Sequence, residues 1–154
     1  MAISIQAKWP RWLGYLGLIP IVFATTMLIF NRQHGMLWGN ILVTYAVVIL
    51  SFLGALHWAF AMTLDRLSIN NRQAMFVWSV IPSLIAWAAL FLPQTLGCLL
   101  LSCFFVFALW MDIRLGRVAS LPAWYLPLRF KLTTVMTVGL MTAAYLLKPV
   151  IIHA

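Results

Sequence analysis

Acidic side chains are almost missing from this chain of 154 residues: Asp65 and Asp112 face ten lysines and arginines. Charged residues of either sign make up 8% of the sequence and hydrophobic ones 65%, whereas soluble domains run near half apolar and a quarter charged. So few charges cannot cover the surface of a soluble globule of this length, which excludes that class. The same apolar weight excludes a disordered chain. Two cysteines are too few for a disulfide-stapled secreted module. Cys98 and Cys103 share one apolar run and stand ~140° apart on a helix, so they read as inert buried thiols. Phosphate-binding glycine loops, H-E-x-x-H, G-x-S-x-G and paired C-x-x-C motifs are absent, so no catalytic residue or metal-ligand set is nominated.

What the chain has instead is long apolar runs. Residues 12–30 form one, close to the ~20 residues that cross ~30 Å of hydrocarbon. Residues 40–63 form a second. Between Gln73 and Met111 lie 39 residues without a charge, too long for one crossing and interrupted at Pro93-Gln94. They divide into spans over 75–92 and 95–111. A last run covers 129–148. The runs are continuously apolar rather than alternating, which favours helices over a barrel. The expectation is an all-α single membrane domain: a polytopic bundle of five transmembrane helices with an interfacial loop over 112–128.

The basic residues then become topology signals. Five crossings put Lys8, Arg11, Arg66, Arg72, Arg114, Arg117, Arg129 and Lys131 on one side and leave Arg32 and Lys148 on the other. Positive residues stay in the cytoplasm, so the N-terminus is expected inside and the C-terminus outside. The net charge of +8 is explained by topology and anionic lipid, with no nucleic-acid partner implied. The first run is longer than a signal-peptide core and lacks a clear cleavage site, so it reads as an uncleaved span. Trp9, Trp12, Tyr15, Trp78, Trp110, Trp124 and Tyr125 mark the cytoplasmic interface, with Trp38 and Tyr145 at the outer one.

Within the spans, Pro20 and Pro82 each remove a helical donor and predict a bend. Their contexts, with the next helix ending at Asp65 or Asp112, hint at a two-helix repeat. Ser51, Ala55, Ala59 and Thr63 recur every fourth residue, a small-residue stripe on which another subunit or a second copy of the chain could pack. Gly54, His57 and Ala61 lie on a separate face, which leaves room beside the imidazole.

His57 is the one ionisable residue deep in a span. Either it is a neutral ring donating to a neighbouring helix, such as a carbonyl freed by Pro82 or Pro20, or it serves as a proton relay, a quinone or haem contact, or a metal ligand. Asp65 and Asp112 close even-numbered helices where the dipole disfavours an acid, so each calls for a cation: Arg66 beside Asp65, and Arg114, Arg117 or Arg129 for Asp112. The stretch 121–129 (LPAWYLPLR) is apolar and carries two prolines, so it is expected either as an interfacial anchor or as a lid near His57. A pocket built from Gly54, His57, Trp58, Pro82, Trp124, Tyr125 and Arg129 would face the cytoplasm.

Two of these segments carry a resemblance. Residues 51–62 (SFLGALHWAFAM) and 121–133 (LPAWYLPLRFKLT), with the Trp-x-x-Ile-Pro pattern ending at Pro82, resemble the transmembrane protein 69 family. The likeness spans most of residues 10–145. It implies a small polytopic membrane protein of bacteria and of eukaryotes with mitochondria, and it supplies no activity or cofactor. Two readings follow for a bacterial inner-membrane protein of this kind. One is a non-enzymatic accessory or assembly subunit that packs on other membrane proteins. The other is a binding or transport module for a lipid, quinone or haem around His57.

Overall fold

The computed structural model describes residues 8–64 and 67–147. All regular structure among them is helical: α1 (Lys8–Leu16), α2 (Ile19–Phe30), a 3₁₀ turn (Arg32–His34), α3 (Gly35–Thr63), α4 (Ile69–Ala89), α5 (Gln94–Val118) and α6 (Tyr125–Leu146). With α1 and α2 nearly continuous, the chain makes five antiparallel rods joined by short turns. Asp65, Arg66 and Lys148 lie outside the described residues, so the expected Asp65–Arg66 pair has no structural counterpart to report.

Three stretches, Lys8–Phe30, Arg32–Thr63 and Gln94–Val118, are long and apolar enough by length and composition to cross a membrane. The α4 and α6 helices are less apolar. Polar Asn70, Asn71, Arg72 and Gln73 open α4, and α6 holds Arg129, Lys131 and several threonines. Some of those threonines bond back to their own helix: Thr134 Oγ1 donates to the Phe130 carbonyl and Thr142 Oγ1 to that of Val138, both at 2.9 Å. A hydroxyl satisfied in this way can sit in an apolar setting.

The α3 helix is the hub. Its buried residues Gly39, Leu42, Val43, Ala46, Leu50, Leu53, Gly54, His57 and Ala61 step by threes and fours, so they form one inward face. The α5 helix does the same through Cys98, Leu101, Phe105, Ala108, Asp112 and Leu115. Most of their apolar side chains join Ile21, Leu28, Trp78, Ala86, Met136 and Leu140 in the main core, while Ala61 and Leu115 pack with Leu67 and Met75 in a smaller one. The closest approach is between α3 and α4 at Gly54. A β-carbon there would collide with the Ser79 carbonyl and sit 3.4 Å from Pro82 Cβ. Only glycine lets the two backbones meet so closely.

Polar links pin the two ends of the bundle. At one end, Gln94 Nε2 donates to the Met36 carbonyl (2.9 Å) and to Asn40 Oδ1 (2.6 Å), while Thr95 Oγ1 donates to the Leu147 carbonyl (3.0 Å). At the other, the Arg72 guanidinium caps α3 by donating to the carbonyls of Ala61 and Leu64, carbonyls that a helix end leaves without partners. Ser68 Oγ accepts from the Asn71 amide to start α4.

Several boundaries depart from the sequence expectation, and α3 and α4 start early, at Gly35 and Ile69. The first rod breaks at Gly17-Leu18, and Pro20 sits in the opening turn of α2, where its missing N–H costs nothing. The Gly17 carbonyl at that break accepts the Tyr45 hydroxyl. The supposed loop 112–128 is largely helix: α5 runs on through Val118 and α6 starts at Tyr125, which leaves a connection over 119–124. Pro127 is compatible with this because it lies in the first turn of α6. Apolarity marks how far hydrocarbon could reach, and a helix continues past that limit while its backbone bonds are made.

Candidate functional site

Asp112 is buried, 1% exposed, on the inward face of α5. Around it gather groups from two other helices. Arg129 Nε, one turn into α6, donates to Oδ2 at 2.6 Å, and the Tyr125 hydroxyl donates to Oδ1 at 3.0 Å. His57 of α3 approaches from the far side with Nε2 3.5 Å from Oδ1, within ion-pair reach but without hydrogen-bond geometry. Its Nδ1 lies 3.3 Å from the Leu53 carbonyl of its own helix. Among the described residues Asp112 is the one acid. Arg129 is 5% and His57 3% exposed, so a carboxylate and a guanidinium neutralise each other inside the bundle.

Aromatic rings wall this cluster. The His57 imidazole meets Trp78 of α4 and Phe60 of α3 edge-on, with centroids 6.2 and 6.4 Å away. Phe60 packs on Tyr125 at 5.6 Å, and Trp78 on Phe107 of α5 at 5.1 Å. Such edge contacts fix the ring planes and keep lipid and water from the ion pair.

Beside the cluster lies a cavity of about 420 Å³. Its walls come from α1 (Leu13), α3 (Leu53), α5 (Phe105), α6 (Arg129, Thr133) and Trp124 just before α6. The size falls within the ~300–1,000 Å³ typical of small-molecule sites. The lining is nearly all hydrocarbon, and its polar side chains are few. Among the described residues, two buried polar atoms of the cavity lining find no partner: Arg129 Nη2 and Thr133 Oγ1. Buried donors are normally satisfied, so two vacancies at one cavity call for an explanation. The α1 helix, which supplies one wall, has no buried residue of its own.

The residues expected to form one pocket separate into three groups. His57, Tyr125 and Arg129 meet at Asp112, and Trp124, Tyr125 and Arg129 border the cavity. Gly54 and Pro82 meet each other at the α3–α4 contact and do not line the cavity. Trp58 points the other way: it is 48% exposed and stacks edge-on against Phe76 at 5.0 Å. Adjacent helical residues face about 100° apart, so a tryptophan beside an inward histidine turns outward. Arg114, expected to pair with Asp112, is exposed and lies over the Trp110 ring at 5.8 Å. Two positions on from Asp112, it sits on the opposite face of α5. The His57 ring turns one nitrogen toward Asp112 and the other toward Leu53, and neither faces a proline-freed carbonyl.

Several residues at the site were not singled out in the sequence, among them Thr133, Phe60 and Trp78's partner Phe107. For Thr133 the signal was present: Tyr125, Arg129 and Thr133 are spaced by fours and so share one face of α6. No three histidine, cysteine, aspartate or glutamate side chains gather as a metal site among the described residues.

A family model described as "Protein of unknown function (DUF3429)" matches residues 6–145. The chain belongs to that family. It is also 31% identical over 144 residues to "Transmembrane protein 69" of Xenopus tropicalis, an alignment covering 90% of this chain and 54% of the frog protein. The DUF3429 chain thus spans about half the length of that curated relative. No solved structure matches it. Family and helices together make it a helical-bundle membrane protein of an uncharacterised, transmembrane protein 69-like family. The family match takes in His57, Asp112 and Arg129 alike.

Proposed function

We propose that this protein crosses the inner membrane of a bacterium five times, with its N-terminus in the cytoplasm, and binds a small amphiphilic molecule without chemically transforming it. The observation that carries the binding reading is the apolar cavity beside the Asp112–Arg129 pair, with unpartnered donors on Arg129 and Thr133. An apolar body would fill the cavity, and one polar end would meet those donors. The α4 and α6 helices have 21 and 22 residues, or roughly 32–33 Å at 1.5 Å per residue, long enough to cross. Helical spans, rather than a closed barrel, favour an inner over an outer membrane.

Native mass spectrometry of protein released from detergent tests the binding reading. Wild type is expected to carry a co-purified small molecule. Leu132 of α6 also lines the cavity, and Leu132→Trp, which would fill it, is expected to lose the molecule. Equal ligand on both proteins contradicts the reading.

A second reading, as an accessory or assembly subunit, is favoured by one observation. Ala55, Ala59 and Thr63 are exposed and Ser51 half-buried, so the small-residue stripe of α3 faces away from the bundle. Such a stripe suits close approach by another helix, of this chain or of a different membrane protein. If that is its use, Ala59→Leu abolishes co-purification of the partner while leaving the cavity's ligand in place.

A further inference from the structure

We infer that the cavity selects a neutral molecule with a carbonyl oxygen on an apolar chain, held by Arg129 Nη2 and Thr133 Oγ1, in preference to an anionic amphiphile. The inference rests on the reading of the cavity as a binding site and adds the chemistry of the head group. Arg129 and Thr133 stand one helical turn apart on the same face of α6, and both border the cavity. Their unpartnered atoms are two donors, and a carbonyl oxygen has two lone pairs to accept both.

Charge decides between a neutral and an anionic head. Among the described residues the one cation lining the cavity is Arg129, and it already spends its charge on Asp112 through the 2.6 Å contact. A carboxylate or phosphate entering there would be a second anion against one guanidinium. In an apolar, water-poor setting an unmatched charge is costly. A carbonyl brings acceptors without charge, so it satisfies the orphaned donors and leaves the pair balanced. Of the remaining lining residues, Trp124 and Tyr125 carry a polar group, the Tyr125 hydroxyl being spent on Asp112, while Leu13, Phe52, Leu56 and Leu128 offer hydrocarbon contact. Quinone rings and the ester carbonyls of neutral glycerolipids share this chemistry.

Equilibrium binding to the purified full-length protein tests it with four probes: a decyl-substituted benzoquinone, dioleoylglycerol, dodecylbenzene and dodecanoate. At least one of the two carbonyl probes should bind about tenfold or more tighter than dodecylbenzene and dodecanoate, and which one does so separates a quinone from a lipid ester. Thr133→Val should cut that preference by about five- to tenfold, the loss expected for one buried hydrogen bond, and Thr133→Ser should restore it. Dodecanoate binding tightest would overturn the inference. So would equal binding of all four probes that Thr133→Val leaves unchanged. If Leu132→Trp still blocks every probe in those cases, the cavity remains a binding site and only the head-group chemistry fails. If Leu132→Trp blocks none, both readings fall.

Discussion

Arg129 Nε and Asp112 Oδ2 stand 2.6 Å apart inside the bundle, an ion pair that ties α6 to α5 with both side chains more than nine-tenths buried. The carboxylate also accepts the Tyr125 hydroxyl and faces the His57 ring at 3.5 Å. One acid therefore organises groups from three helices at the basic end of the molecule. A desolvated pair of this kind adds little net stability over an apolar replacement, and its chief energetic consequence appears when one partner is removed.

Asp112→Ala should therefore destabilise the protein by about 3–5 kcal/mol, because it leaves the Arg129 guanidinium buried without a counter-charge. Asp112→Leu combined with Arg129→Met should recover most of that loss. Thermal unfolding in one detergent, compared across wild type, the single variant and the double variant, measures both effects.

At the α3–α4 contact, Gly54→Ala should cost about 1–3 kcal/mol, the usual range for overpacking a tight interface. The added methyl would run into the Ser79 carbonyl, which is backbone and cannot rotate away. The same melting assay reads the effect, and Ala55→Gly on the exposed neighbour serves as the control with a change under about 1 kcal/mol.

Tyr45 closes the break between α1 and α2 by donating to the Gly17 carbonyl. Tyr45→Phe should lower stability by about 1 kcal/mol. It should also raise amide hydrogen exchange at residues 14–20 more than elsewhere, since α1 has no buried residue to hold it. Exchange followed by mass spectrometry resolves the segment.

Much of the architecture was legible because the bilayer imposes a length scale. The five apolar runs correspond to the five rods, and the turn at Pro93 and the breaks near residues 31 and 64 fall where charge or proline interrupts them. Asp112 was legible as a paired acid, since a lone carboxylate in this setting needs a cation. What was not legible was side-chain direction. Trp58 borrowed interest from its neighbour His57, yet one residue of helix turns it outward. Arg114 was near Asp112 in sequence but on the wrong face, while Arg129, seventeen residues on, supplies the contact. The 119–124 connection looked longer because apolar count stops before the helix does. Periodicity read along α6 would have added Thr133 to Tyr125 and Arg129. Nothing in the sequence announced the cavity, which forms where α1, α3, α5 and α6 come together.

Five crossings of the membrane, with the Asp112–Arg129 end inside, are the central proposal for this bundle. Arg32 lies between α2 and α3, and Arg117 near the end of α5. In a background with Cys98 and Cys103 changed to serine, Arg32→Cys and Arg117→Cys can be treated with a membrane-impermeant maleimide on intact cells. Five crossings predict that Cys at 32 reacts at once and Cys at 117 only after permeabilisation. Reaction at both positions in intact cells is what three crossings, with α4 and α6 lying outside the hydrocarbon, would give, and it would contradict the account.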